Sequence, residues 1–416
     1  MKNKPHKPTR SKLTVFRQLC NLIPTHLVSE LARQTGAALK ARTYTPWSHV
    51  VAMLYAQFSH AIGLNDVCDG LDLLSGPLSA IRGATAPKRN TLAHANKTRP
   101  AQMAEKLFWR TLEHLRGQCR TFMASPGQRR LRRFKVPIHI VDSTILRIVA
   151  SAVDWKRHRC RKAAAKCHVR LNFQDFLPNF VIIGSSYDHD AHRAIELCAG
   201  LQAGEISLFD KAYADFCHLH LLDQRGVYWV TRQRTNLSCR VVKTRLRKPN
   251  GKILRDEEVV LKGFRTRRKY PKRFRRVVAL VEVEGVEREM TFLTNNFSWA
   301  ASTVAELYRA RWQIEVFFKQ IKQTLQLTDF LGNSDNAVRW QVWTALLVYV
   351  LLRYQAWTSQ WSGSFLRLWA CLRAALWLKL DVISLLKSYG IAGQHWRMLA
   401  QPQQAYLPGF QPAPVG

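Results

Sequence analysis

Acids are scarce in this chain. Only 28 Asp and Glu stand against 64 Lys and Arg over 416 residues, a formal charge of +36 and a pI near 10.5. Such a surface disfavours cationic partners and favours a polyanion. Long apolar runs are missing as well. The richest, VWTALLVYVLL at 342–352, lies between Arg339 and Arg353. It falls short of the ~18–20 residues a membrane span needs, so it reads as a buried helix and no membrane partner is expected. The nine cysteines form no Cys-x-x-Cys pair and are odd in number, which points to a reducing cytoplasm and away from a disulfide framework. Cys160, Cys167 and His168 are close in sequence but lack the paired spacing of a zinc site. No Walker-type loop and no Gly-x-Gly-x-x-Gly is present, so a nucleotide cofactor has no support, and no Gly-x-Ser-x-Gly elbow marks a serine hydrolase. The N-terminus is basic but has no apolar segment of a signal peptide.

What is present is globular: 47% hydrophobic and 22% charged residues, in a chain long enough for two or three units. Residues 1–12 read as a basic disordered tail. Residues 13–118 are helical in pattern and form a candidate DNA-binding domain. Its last segment, APKRNTLAHANKTR, has Thr91 as a candidate cap among Lys88, Arg89, Lys97 and Arg99, which suits a helix-turn-helix reader or a plain bundle equally. Residues 119–134 are a basic linker. From 135 the period switches to strands, in the order β-β-β-α-β through VPIHIVDSTILRIV, AKCHVRLNF, NFVIIGSSYD, AHRAIELCAGLQAG and EISLFDKAYADF. That order predicts a mixed α/β sheet with flanking helices over 135–360. A β-rich insertion follows at about 231–300, where residues 231–276 hold 18 cations and three acids. Cations at that density over strands suit a phosphate backbone. Residues 361–416 read as Trp- and Leu-rich helices ending in a Pro/Gln-rich tail.

Two acids follow apolar strands, Asp142 after IHIV and Asp210 after ISLF, where an α/β sheet presents ligands. A third stands on the segment Tyr308–Gln323, read as one continuous helix. There Tyr308, Arg311, Glu315, Lys319 and Lys322 share a stripe, while Leu307, Ala310, Ile314, Phe317, Phe318, Ile321 and Leu325 form the adjoining core face. Three carboxylates from separate elements can hold Mg²⁺, which suits phosphodiester chemistry. Asp188, His189, Asp190 and His192 form a rival polar cluster, read as a turn opening a helix.

These residues carry a resemblance. Tyr308-x2-Arg311-x3-Glu315-x6-Lys322 resembles the Tyr-Arg-Glu-Lys signature of bacterial insertion-sequence transposases of the Asp-Asp-Glu class, whose catalytic domain is ribonuclease-H-like. Asp142–Thr144, Asp210–Phe216 and Phe292–Asn295 extend the match, and the β-rich insertion lies where that family has one. The resemblance implies Asp142, Asp210 and Glu315 as catalytic and metal-binding residues, and Tyr308, Arg311, Lys319 and Lys322 as DNA-binding residues. It further implies Mg²⁺ or Mn²⁺, double-stranded DNA as transposon ends and target, a homodimer on DNA, cut-and-paste movement, and a bacterial, cytoplasmic, nucleoid-associated protein. Lys211-Ala212 stand where relatives often have Arg-Gly. Met290 is nearest to a strand position where some relatives carry a DNA-wedging Trp, with Trp299 further on. Two alternatives stay open: a catalytically silent DNA-binding relative, and a ribonuclease-H-like nuclease without strand transfer.

Overall fold

The computed structural model describes residues 7–39, 43–123, 131, 133–147, 164–185, 190–246, 248–283, 285–325, 327 and 330–390. It opens on seven helices: α1 (Val15–Cys20), α2 (Leu27–Gln34), α3 (Pro46–Ser59), α4 (Leu64–Leu73), α5 (Ser75–Ser79), α6 (Arg89–Thr98) and α7 (Gln102–Gln118). Local chemistry sets their ends. Thr14 and Thr45 each accept a backbone N–H from three residues on, and Pro46 takes a first-turn position where its missing N–H has no partner to lose. Thr91 is not a cap: it lies within the first turn of α6, and Lys88 holds the cap position with no side-chain bond. The extended run through Pro87 carries the chain to Lys88 before it coils.

Next come β1 (Ile138–Arg147), β2 (Ala164–Asn172), β3 (Pro178–Ser185), α8 (Asp190–Leu197), β4 (Ile206–Phe209), α9 (Phe216–Gln224) and β5 (Tyr228–Arg232). The basic block folds as β6 (Cys239–Thr244), β7 (Ile253–Leu261), α10 (Phe264–Lys269), β8 (Phe274–Val283) and β9 (Val286–Thr294). The described strands form one sheet in the order β3-β2-β1-β4-β5-β9-β8-β7-β6. β1, β2 and β3 pair antiparallel, whereas β1–β4 and β4–β5 are parallel. The element order predicted a mixed sheet, and this five-strand order is the ribonuclease-H arrangement that the resemblance implies. The insertion is not a separate layer. β9 pairs antiparallel with β5, so four strands extend the sheet from what would otherwise be an open edge.

Asp142 departs from the expectation of a strand terminus, because β1 runs on to Arg147 as the antiparallel partner of β2. Its parallel pairing with β4 does stop there, at Val141↔Phe209. The predicted helix Tyr308–Gln323 is also corrected. It is three pieces: α11 (Ala301–Ala310), α12 (Gln313–Lys319) and a wide π-type turn at Gln320–Thr324. Between α11 and α12 the bonds tighten to three-residue steps, with Arg311 N–H to Tyr308 O at 3.0 Å and Glu315 N–H to Trp312 O at 3.1 Å. Periodicity reports which residues are apolar and does not see such a change of step.

The described chain ends in α13 (Asp335–Thr358), α14 (Phe365–Ala374) and α15 (Val382–Gly390). α13 contains the apolar run noted above and is buried on nearly all sides. Among the described residues no helix is long and apolar enough to cross a membrane. One core cluster runs from Val15 through the sheet to Leu386, so the opening and closing helices share it. Phe16 of α1 packs edge-on against Trp377 at 5.3 Å.

Candidate active site

Parallel strands bring like-numbered register positions side by side. One residue beyond the Val141↔Phe209 pair, the backbones of Asp142 and Asp210 are therefore neighbours at the C-terminal end of the parallel strands. Ile138, Ile140, Val141, Ile206, Leu208 and Phe209 beneath them are fully buried, which fixes the strand ends rigidly. Asp210 then opens a 3₁₀ turn, Lys211–Tyr213, whose last ring is buried and whose hydroxyl lies 2.9 Å from His168 Nδ1 on β2.

α11 and α12 lie across this end of the sheet. Phe317 meets Phe176 and Tyr349 edge-on at 6.3 and 5.1 Å, and Phe292 of β9 lies 4.9 Å from the Tyr308 ring. All seven residues of the predicted apolar face are buried. The polar stripe divides. Tyr308 and Arg311 are buried toward the sheet, Lys322 is half-buried, and Glu315 and Lys319 face solvent. Tyr308 donates its hydroxyl proton to Asp210 Oδ1 at 3.3 Å. Arg311 donates from Nη1 to Asp142 Oδ2 at 2.8 Å and from Nη2 to Glu315 Oε1 at 3.2 Å. One guanidinium thus bridges the first and third acids, with the second held by Tyr308.

Burial pushes Asp142 up to about 6, against the pull of Arg311 and the Ser143 N–H and with the repulsion of Asp210 and Glu315. The same burial raises Tyr308 to about 12. Arg311 is held above its ordinary value because its carboxylate and phenol neighbours outweigh its own desolvation. The pair favours both charges, yet for the carboxylate burial prevails. A site that leaves a buried carboxylate under-compensated accommodates further positive charge, and carboxylate oxygens are the donors a hard divalent cation takes. In donor type the three acids fit such a cation. As arranged they surround a guanidinium, and among the described residues no three-ligand group stands ready around a metal ion.

Arg232 joins this set although the sequence reading passed over it. It ends β5, the third parallel strand, and its charge acts on the Tyr308 hydroxyl. The signal was the one that found Asp142 and Asp210, a polar residue closing an apolar strand. Asn295 was read only as part of a motif. Its Nδ2 donates to Asp223 Oδ1 and Val227 O, and its Oδ1 accepts from Trp229 N–H at 2.9 Å, clamping β5 to the strand before α11. Trp299 is engaged in packing, with its ring 5.3 Å from Tyr228 and 5.8 Å from Phe134. Of the rival groups, Cys160, Asp188 and His189 lie outside the described residues.

A sheet in 3-2-1-4-5 order, with two acids beside adjacent parallel strands and a third on a helix beyond an inserted set of strands, is a ribonuclease-H-like layout. Residues 134–351, more than half of the chain, match the family described as Transposase DDE domain, and the chain belongs to that family: it is a DNA transposase of the insertion-sequence kind. Residues 11–80 match a domain of unknown function, DUF4372. An assigned transposase of Sinorhizobium fredii is 28% identical over 322 residues, covering 77% of this chain and 86% of that protein. An assigned transposase for insertion sequence element IS5377 of Geobacillus stearothermophilus is 29% identical over 230 residues, 54% of this chain and 58% of the relative. A solved piggyBac transposase synaptic complex with hairpin DNA aligns over 94% of this chain and 86% of its own, at 10% identity and a TM-score of 0.44. Enzymes of this family generally use a divalent metal, and DNA is the partner.

Proposed function

We propose that the protein binds the terminal inverted repeats of its own element, cuts the DNA strands there and joins the freed 3′ ends to target DNA in a cut-and-paste cycle. The observation that carries this reading is the convergence of Asp142, Asp210 and Glu315 on two side chains at the α11–α12 junction, Arg311 and Tyr308. Asp142, Asp210 and Glu315 would hold Mg²⁺, or Mn²⁺ in its place. When bound, such a cation stabilises charge on the attacking and leaving oxygens of a phosphodiester.

The chain's own residues do the rest. Arg311 releases Asp142 and Glu315 and offers its planar donors to a phosphate, which it can engage bidentately. Tyr308, kept protonated by burial, donates a hydrogen bond and fixes Asp210. Lys319 and Lys322 add point charges along the incoming strand. The exposed cations of β6 and α10 supply the sequence-independent grip on the backbone, and residues 13–118 supply the DNA-binding domain. Two ends must be held at once, so a homodimer assembles on the DNA.

End cleavage in Mg²⁺, with the element's terminal duplex as substrate, tests the reading. Nicking at the ends, lost in Asp142→Ala, Asp210→Ala and Glu315→Ala, supports it. Binding without nicking would mean a silent DNA-binding relative. Cleavage of branched DNA with no end preference would mean a nuclease without strand transfer.

A further inference from the structure

α6 presents a face that the catalytic reading does not use. No acid occurs between Asp72 and Glu105, while Arg82, Lys88, Arg89, Lys97 and Arg99 fall inside that interval. Lys88, Arg89, Asn90 and Thr91 are exposed in succession at the N-terminal turn of α6, and Thr91 and His94 line an open cleft shared with Gly36, Ala37 and Tyr44. His94, Lys97 and Thr98 are exposed one and two turns further on. With Asn90 and Thr91 they form a stripe at helical spacing. Among the described residues the side chains of Asn90, Thr91, His94 and Lys97 have no hydrogen bond or ion pair.

The opposite face is tied down. Leu92, Ala95 and Asn96 are buried, and Asn96 Oδ1 lies 2.8 Å from His49 Nε2 of α3. The C-terminal end is clamped by α13: Asn336 Nδ2 donates to the carbonyls of Asn96 and Arg99, and Trp340 Nε1 donates to Arg99 O at 2.7 Å. Arg99 in turn reaches back to the carbonyls of Tyr44 and Thr45. A helix braced behind and at its tail, with an exposed polar tip that itself carries no acid, can enter a major groove as a recognition helix does. The side chains suit the groove. Asn can pair with an adenine edge, and His can donate to a purine N7 or O6. Lys88 and Arg89 flank the tip where phosphates pass. On the neighbouring α4 the exposed Asp66, Asp69 and Asp72 reverse the charge and bound the contact on that side.

We infer that α6 reads the terminal sequence of the element, placing Asn90, Thr91 and His94 against base edges in the major groove and Lys88, Arg89 and Lys97 on the flanking phosphates. This rests on the proposed binding of transposon ends and names the surface that discriminates them. The test uses the full chain, a duplex of the element's own terminus, and a scrambled duplex of equal length and composition. Asn90→Ala and His94→Ala should weaken terminal-duplex binding roughly tenfold to a hundredfold and leave scrambled binding unchanged. Arg89→Ala should weaken both and lower the salt slope by about one. Chemical unfolding of each variant should match the wild type, since these side chains are exposed and unbonded. Wild-type protection of guanine N7 in the terminus against methylation, lost in the variants, gives a second readout. Variants that keep both the wild-type discrimination and that protection overturn the inference, whereas a wild-type protein that prefers no end overturns the reading beneath it.

Discussion

Replacing Arg311 with Met gives the sharpest physical prediction. The Arg311 side chain is 9% exposed and Asp142 18%, at 2.8 Å, so solvent screens their attraction little. In the folded protein Asp142 titrates near 6, above its ordinary 3.8. The unfolded chain therefore loses this proton first, and the carboxyl stabilises the fold fully below the unfolded value. That contribution fades as pH rises through 6, by about 3 kcal/mol in all at 1.36 kcal/mol per unit. Without Arg311 the folded value rises further, so Asp142 keeps its proton over more of the range between pH 6 and 8. Above pH 6 the wild-type carboxyl ionises beside Arg311 and its loss of stability levels off, whereas the variant goes on losing stability, by up to about 2–3 kcal/mol more at pH 8. At pH 5 both proteins hold Asp142 protonated, so that part of the difference vanishes. Urea unfolding of wild type and Arg311→Met at pH 5 and pH 8 measures it, with exposed Arg309→Met as control. Repeating the pair on an Asp142→Asn background should remove the pH dependence. Equal destabilisation at both pH values would refute the argument, as would a dependence that survives Asp142→Asn.

Other expectations follow from burial and bonding. Arg275 is bidentate to Asp256 at 2.8 and 2.7 Å and donates to the carbonyls of Asn296 and Trp299 ahead of α11. Arg275→Met should destabilise by about 3–5 kcal/mol, seen in urea unfolding, because a buried carboxylate loses its bidentate partner and keeps only Arg245 at 3.8 Å; an unchanged midpoint would show that the loop needs no such brace. Phe317→Ala should destabilise by about 3–5 kcal/mol and reduce end cleavage, since its ring anchors α12. If cleavage survives that loss of stability, α12 does not depend on this anchor. Tyr349 donates to Phe176 O at 2.8 Å within the core, so Tyr349→Phe should cost about 1–3 kcal/mol for the unsatisfied carbonyl, read as a lower thermal midpoint.

Much of the site was legible beforehand because its signals are local. An apolar run closed by an acid needs only a few residues to be recognised, and Asp142 and Asp210 were each found that way. Their adjacency was not legible, because it depends on the Val141↔Phe209 register between residues 68 positions apart in the chain. The apolar arc of α11 and α12 was read correctly from spacing, whereas the tightening at Arg311–Trp312 was missed. It changes the direction of two side chains without changing the order of apolar and polar positions.

By itself the sequence determined the acid-poor charge, the switch from helical to strand period near residue 135, the basic insertion and the residue types of the candidate site. Each of these is a matter of composition or of spacing within one element. Only the tertiary structure decided that the insertion extends the main sheet through β9 and β5, and that the opening and closing helices share a core. It alone decided that Arg311 bridges Asp142 and Glu315 while Tyr308 turns inward to Asp210. Those outcomes depend on which surfaces find one another and on which buried polar groups must be satisfied once they meet. No single stretch of sequence specifies such long-range balances.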